Sequence, residues 1–211
     1  KKQAIYGIIH GGWFKDLRIA SMRYINSLSF DGIAVGGSLG KTKENMYEIL
    51  DWIAPELDER PRHMLGIGWI DDIFECVERG IDTFDCVEMT RIARHGSLYV
   101  SPRTGGSIEN KFRIDIRKSD YFGDKKPIDE DCSCYTCKNY SKHEMRAFYK
   151  EMNVEKEANK RGKEGRDFAR AKYGRLATIH NVHFMLNLMK EIRESIIDGS
   201  FKELKKYWLG R

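Results

Sequence analysis

A chain of 211 residues, 41% apolar and 33% charged, is long enough to bury a core and too apolar to be disordered. No run approaches the roughly 20 apolar residues of a membrane helix, and the opening KKQAIYGIIHGG is too short in its apolar part for a secretory signal, so a cytoplasmic protein without membrane attachment is expected. The net charge of +5 permits a nucleic-acid partner without requiring one.

From Ala4 to Val87 the chain repeats one rhythm, a short apolar run followed by a helical pattern. The runs are AIYGIIHGG (Ala4 to Gly12), GIAVGG (Gly32 to Gly37), HMLGIG (His63 to Gly68) and DTFDCV (Asp82 to Val87). Between them, Leu17, Ala20, Tyr24 and Leu28 space as one helical stripe, and Met46, Ile49, Leu50 and Ile53 as another. A shorter helix is predicted from Asp71 to Arg79, with acidic residues in its first turn and Gly80 beyond its end. Strand alternating with helix at this spacing indicates βα units in a parallel sheet. Functional residues in such sheets gather at the carboxyl ends of the strands, which puts His10, Gly36, Gly37, Gly66, Gly68 and Asp85 on one rim.

On that rim, Asp85 is the carboxylate suited to attack a sugar carbon and form a covalent glycosyl intermediate; the alternative is an aspartate that caps the next element. Asp82, three residues earlier, faces the other side of the strand. Arg91 and Arg94, in TRIARHG, are suited to hold phosphates of a polymeric substrate, or else simply face solvent. His10 offers a base edge one donor and one acceptor nitrogen if neutral, with a buried structural histidine as the competing reading.

Ser97 to Gly123 reads as a small β excursion in SLYVS, PRTGGS and KFRIDIRKS, followed by a cysteine-bearing loop and a helix from Lys142. The span from Lys150 to Arg175 carries nine Lys or Arg against five Asp or Glu. In LATIHNVHFMLNLMKEIRESI, the stripe Met185, Leu188, Met189, Ile192 and Ile196 predicts a packed helix beginning near Asn181. Five cysteines is an odd number, and Cys132, Cys134 and Cys137 form a C-x-C-x-x-C array, which argues for a metal site over a disulfide scaffold. Zinc suits such thiolates. Spacing leaves the fourth ligand open between His180 and His183, and either choice closes the site to water and makes it structural. Cys76 and Cys86 read as isolated buried thiols.

FDCVEMTRIARHG (Phe84 to Gly96), with IIHGG, IAVGG, LGIG, CSCYTC and IHN (Ile179 to Asn181), resembles the tRNA-guanine transglycosylase (queuine tRNA-ribosyltransferase) family across nearly the whole chain. The resemblance is to that family's C-terminal half. It implies an α/β fold, the last four βα units of a (β/α)8 TIM-type barrel over 1–96, and a zinc-binding module with a charged insertion and C-terminal helices over 97–211. It implies that Asp85 is the nucleophile at ribose C1′, releasing guanine so that a 7-deazaguanine takes its place in tRNA. It implies that Cys132, Cys134, Cys137 and His180 hold a structural Zn2+, that Arg91 and Arg94 contact the anticodon loop, and that Gly36 and Gly37 line the base pocket. Ser38, Gly66 and His10 are counted among the substrate-binding positions.

Departures from the family pattern are expected to alter base recognition. His10 stands where glutamine is usual, SLGK ends in Lys41 and lacks an acid that reads an aminomethyl arm, and Met89 replaces a proline. The stretch from Cys137 to His180 is longer than usual. Four strands do not close an eight-stranded barrel, so a polypeptide partner supplying the other units is expected, with dimerisation of complete barrels as a further expectation. The competing functions are deazaguanine exchange into DNA and a non-catalytic RNA-binding subunit beside an active homologue.

Overall fold

The computed structural model describes residues 3–154 and 163–210. Part of the expected charged insertion lies outside the described residues. The chain forms two compact units, Lys1–Val87 and Glu88–Arg211, parting ahead of the 96/97 boundary read from the sequence.

The first unit runs β1 (Tyr6–Ile9), α1 (Lys15–Asn26), β2 (Gly32–Val35), α2 (Lys43–Ile53), β3 (Arg62–Met64), α3 (Ile70–Glu78) and β4 (Thr83–Phe84). The strands pair in chain order and all in parallel. Side chains alternate across a pleated strand, so each strand has one face toward the helices and one away from them. Ile9, Ile33, Val35 and Met64 point to the helices and form the core with Met46, Ile49, Leu50 and Ile53, the predicted stripe of α2. The other face carries the row Ile8, Ala34, His63 and Thr83, which the register sets side by side. Two positions further along each strand, His10, Gly36, Leu65 and Asp85 form the next row on that face.

The predicted stripe on α1 is not the face this unit buries. Leu17, Tyr24 and Leu28 are exposed, and so is Ala20. The buried residues of α1 are Arg18 and Met22. A charged residue at the centre of a buried helix face breaks the apolar pattern, and its guanidinium is accounted for by backbone carbonyls described below. Between α2 and α3, Lys43 bridges Asp71 at 2.6 Å and Asp72 at 2.9 Å, and the Tyr47 hydroxyl donates to Asp72 at 2.7 Å. Burial pushes the Asp72 carboxyl above its ordinary range, a cost these donors partly offset.

The second unit comprises α4 (Glu88–Arg94), β5 (Ser97–Tyr99), β6 (Arg113–Asp115), α5 (Tyr135–Asn139), α6 (Lys142–Val154), α7 (Lys163–Asp198) and α8 (Phe201–Leu209). The β excursion is the antiparallel pair β5 and β6. Their apolar face packs with Met145, Tyr173, Leu176 and Ala177 of α6 and α7 around Val100, Ile116 and Ile128. α6 starts with a capping box: Ser141 accepts from the Glu144 N–H at 3.2 Å, and Glu144 reaches back to the Ser141 N–H at 2.8 Å.

α7 does not begin near Asn181, as the sequence suggested, but is continuous from Lys163 through His180 to Asp198. Its stripe is buried at Met185, Leu188 and Ile192. Ile196 is 54% exposed, and Ser195 holds the inward position instead, its hydroxyl donating to the Ile192 carbonyl. α8 follows α7, and its Trp208 is buried against the rings of Phe112 and Phe184. No described helix is long and apolar enough to cross a membrane.

Candidate active site and metal centre

In the first unit the carboxyl ends of the strands carry His10, Gly36, Gly37, Gly66 and Asp85, as the sequence predicted. The Asp85 side chain is 61% exposed, and its Oδ1 is held from two directions. The Gly66 N–H donates to it at 3.1 Å, and His63 Nε2 lies 3.2 Å away. Gly66 has φ +75°, a left-handed conformation that turns its N–H to the carboxylate and that a side chain would strain. His63 Nδ1 sits 2.8 Å from Thr83 Oγ1, and its ring meets Tyr6 edge-on. An ionised carboxylate only accepts, so Nε2 must carry a proton toward Asp85; in the neutral ring, Nδ1 then accepts from the Thr83 hydroxyl. One oxygen of Asp85 is thereby anchored and Oδ2 has no hydrogen bond within the unit's described residues.

On the far side of β3 from this carboxylate strand, the ends of β1 and β2 are tied by Arg18. Its guanidinium donates to the carbonyls of Gly12 (2.8 Å), Ile9 (3.0 Å), Gly36 (2.9 Å) and Ser38 (2.8 Å). Burial lowers its pKa from the ordinary arginine value. The glycine-ended loops are therefore fixed in place by a side chain from α1. Gly37 (φ +76°) lies against His10: a Cβ there would come within 2.7 Å of His10 Nδ1. His10 itself is exposed, not the buried structural histidine of the competing reading. Asp82 points away and accepts from the Arg62 N–H at 2.7 Å at the start of the neighbouring strand β3.

The second unit brings the cysteine array to His180. Sγ of Cys132, Cys134 and Cys137 and Nδ1 of His180 all lie within 4.8 Å of one another. The sulfurs are 3.6, 3.6 and 3.3 Å from Nδ1. Metal–sulfur bonds of about 2.3 Å and metal–nitrogen bonds of about 2.0 Å space sulfur from nitrogen by about 3.5 Å in a tetrahedron, so these donors fit one tetrahedral ion such as zinc. His180 is fully buried, and its Nε2 lies 2.8 Å from the Tyr99 carbonyl; donating there fixes the tautomer that turns Nδ1 to the sulfurs. His183, left open by spacing, lies one helical step on and contacts Ser133 Oγ at 3.2 Å instead.

Several residues that the sequence did not single out as site residues hold this centre. Asn181 donates to the carbonyls of Met89 and Ser97 and accepts from the Tyr99 N–H, joining α4, β5 and α7 behind the ligands. Thr136 donates to the Leu176 carbonyl at 2.7 Å, anchoring α5 on α7. Buried Asp129 accepts from the Ser101 and Asp131 N–H groups ahead of the array. Hydrogen bonds with Cys132 and Cys137 hold the Cys134 thiol far below its usual range, and Cys137 is pushed up in return, chiefly by its contact with Cys132. For His180, burial opposes the charge, but the contacts to Cys132 and Cys134 outweigh it and bring the ring up to about 9. A bound dication would take the place of these crowded protons.

Of the remaining thiols, Cys76 is fully buried and burial pushes it up to about 12, whereas Cys86 is only half-buried. Arg91 and Arg94 lie on the exposed side of α4.

A parallel βα unit with an anchored rim carboxylate, followed by a unit whose three thiols and one imidazole suit a tetrahedral metal ion, defines an α/β protein with a Cys3His donor set. The sequence profile of the queuine tRNA-ribosyltransferase family matches residues 1–157 and 166–211, and the chain belongs to that family. Its unmatched residues, 158–165, fall within the charged stretch that the sequence marked as an insertion. The chain is 47% identical over its whole length to a provisionally named queuine tRNA-ribosyltransferase of Archaeoglobus fulgidus, covering 48% of that protein. It is 42% identical to the queuine tRNA-ribosyltransferase of Roseiflexus sp. (99% of this chain, 47% of the relative) and 38% identical to that of Caldanaerobacter subterraneus (100% and 51%). The chain spans about half the length of the curated relatives it matches.

Proposed function

We propose that the chain supplies the nucleophile and the structural zinc centre of an enzyme that exchanges guanine for a 7-deazaguanine in tRNA. The observation that carries this reading is the Asp85 carboxylate at the carboxyl rim, with Oδ1 anchored by Gly66 and His63 and Oδ2 open. In the first step Oδ2 attacks ribose C1′, the C1′–N9 bond breaks, and the departing ring takes the bond's electron pair and a proton. In the second, N9 of the incoming base gives up a proton and attacks C1′, and the Asp85–C1′ ester breaks to return the carboxylate. Two displacements leave the ribose with its original configuration.

His63 acts through Asp85, as a positioning residue: its Nε2–H keeps the reactive carboxylate aimed along the sheet face. Gly36, Gly37, Ser38 and His10 form the adjoining wall for the base, held by Arg18. Cys132, Cys134, Cys137 and His180 would hold Zn2+, which when bound fixes the loop to α7 with no coordination position open for chemistry. Arg91 and Arg94 take anticodon-loop phosphates in this reading, and further βα units from a polypeptide segment outside these residues complete a (β/α)8 barrel beside β1 and β4. A tRNA substrate and a thiolate metal centre both suit the cytoplasm.

Relatives named for tRNA ribosyl transfer support tRNA as the substrate over DNA. The test is incorporation of a labelled 7-deazaguanine into unmodified tRNA by the full protein. Incorporation that disappears in Asp85→Asn supports the reading; incorporation undiminished in that variant contradicts it.

A further inference from the structure

In the first unit, Arg18 joins the β1–α1 loop to the β2–α2 loop, and the Gly66 N–H joins the β3–α3 loop to Asp85. The connection between these two pairs is made by Lys43, the first residue of α2. Its ammonium donates to Asp71 at 2.6 Å and Asp72 at 2.9 Å, both in the first turn of α3, and stands 5.0 Å from the ring of Trp69, just ahead of that turn. One turn along α2, the Tyr47 hydroxyl donates to the same Asp72. Lys43 is itself tied to the loop before it: the Asn45 N–H donates to the Thr42 hydroxyl, and Asn45 Oδ1 accepts from the Lys41 N–H.

Stability of α3 alone does not account for this arrangement. Carboxylates in a first turn suit the helix dipole, and the more exposed Asp71 meets that need at less cost. The Asp72 side chain is only 7% exposed, and an ion pair so buried is often no more stabilising than packed apolar residues of similar size. What the bridge does fix is the spacing of two rim loops. A Cβ at Gly66 would meet no atom within 4 Å, so no neighbour packs against that side of the residue. Its position follows from the ends of its loop, Met64 in the sheet and Trp69 beside Lys43.

We propose that Lys43 and Asp72 are positioning residues for the reaction at Asp85, setting the distance between the loop that walls the base, Gly36 to Ser38, and the loop whose Gly66 N–H aims the carboxylate. The proposal rests on the functional reading above and extends it to two side chains that touch neither sugar nor base. With the bridge in place, the rim is connected from Gly12 through Arg18, the 36–42 loop, Lys43, Asp72 and Gly66 to Asp85. Without it, the 65–69 loop keeps its attachment to β3 and loses its attachment to α2.

The test is Lys43→Met/Asp72→Asn in the full protein, which removes both charges and keeps a carbonyl oxygen for the Tyr47 hydroxyl. Amide hydrogen exchange at Gly66 and the single-turnover rate of adduct formation with tRNA are measured well below the melting temperature. Exchange at Gly66 should quicken by about 10-fold or more while Ile33 and Val35 in β2 stay protected. Adduct formation should slow by about 10- to 100-fold, the effect of a small misplacement of a reacting group, with the dissociation constant for tRNA unchanged. Lys43→Arg, which keeps a charge able to reach both carboxylates, should restore most of the rate. A purely structural bridge would lower the melting temperature and leave the rate where it was. Unchanged exchange at Gly66, or an adduct formed at the parental rate, overturns the assignment. If the parent forms no adduct, the transglycosylase reading fails and the positioning role fails with it; if the parent forms it and the double variant matches it, only the positioning role fails.

Discussion

Arg18→Met isolates the contribution of one buried guanidinium to the shape of the rim. Methionine keeps most of the stem volume, so the principal loss is four donated hydrogen bonds to Gly12, Ile9, Gly36 and Ser38. The acceptors are affected unequally. The Gly12 and Ser38 carbonyls lie at partly exposed loops and can be rehydrated, and the Ile9 carbonyl still accepts from the Gly36 N–H at 3.2 Å. The Gly36 carbonyl, in a buried residue, is left without its arginine donor. An orphaned buried acceptor costs about 1 to 3 kcal/mol, and hydrogen bonds to a charged donor contribute about 1.5 to 3 kcal/mol each. Against this stands relief of the desolvation that lowers the Arg18 pKa. A net loss of about 3 kcal/mol follows on this accounting, and with urea m-values of about 1 to 3 kcal/mol/M the midpoint should fall by about 1 to 3 M. Arg18→Lys should recover less than half of it, because one ammonium cannot span four carbonyls. The assay is urea denaturation of the full protein followed by circular dichroism. A midpoint unchanged for Arg18→Met would show that the rim is held by its strands alone.

His63→Phe should slow formation of the Asp85 adduct by about 10- to 100-fold, the worth of one hydrogen bond to a charged group, without changing the dissociation constant for tRNA; an unaltered rate in single-turnover experiments removes His63 from the mechanism. Metal analysis should give one zinc per chain, lost in Cys134→Ser and His180→Ala and retained in His183→Ala, the reverse pattern of the two histidines being the contrary result. Ser141→Ala removes the capping box of α6 and should lower stability by about 0.5 to 2 kcal/mol. Glu144 is held below its ordinary range by the Ser141 backbone N–H and then by its hydroxyl, so its contribution is present above the unfolded carboxylate pKa and declines as pH falls through the folded one; acid titration of the Ser141→Ala protein, which keeps the N–H, should show that decline reduced and not abolished.

The βα rhythm, the glycine-ended rim and the cysteine array were legible because each is a local pattern: apolar runs closed by glycine, stripes at helical spacing, and three thiols within six residues. Long-range pairings were not. His63 reads in the sequence as a polar residue in a strand, and only the parallel register of β3 with β4 sets it beside Thr83 and Asp85. Arg18 interrupts an apolar face, so hydropathy selects Leu17, Tyr24 and Leu28 on the opposite side; the deciding fact is four carbonyls drawn together by two loops. His180 and His183 are close in sequence, and it takes the direction of the ring, set by the Tyr99 carbonyl, to separate ligand from neighbour. Asn181 looks like a helix start because asparagine caps helices, yet its side chain is spent on Met89, Ser97 and Tyr99 while the helix runs through it.

The proposed chemistry depends most on Asp85 being the nucleophile at ribose C1′. The most direct measurement is tandem mass spectrometry of the full protein quenched with tRNA in the absence of an incoming base, mapping the residue that carries the ribonucleotide mass. The expected result is the mass on Asp85 and no adduct in Asp85→Asn. An adduct on any other residue, or one that persists in that variant, contradicts it.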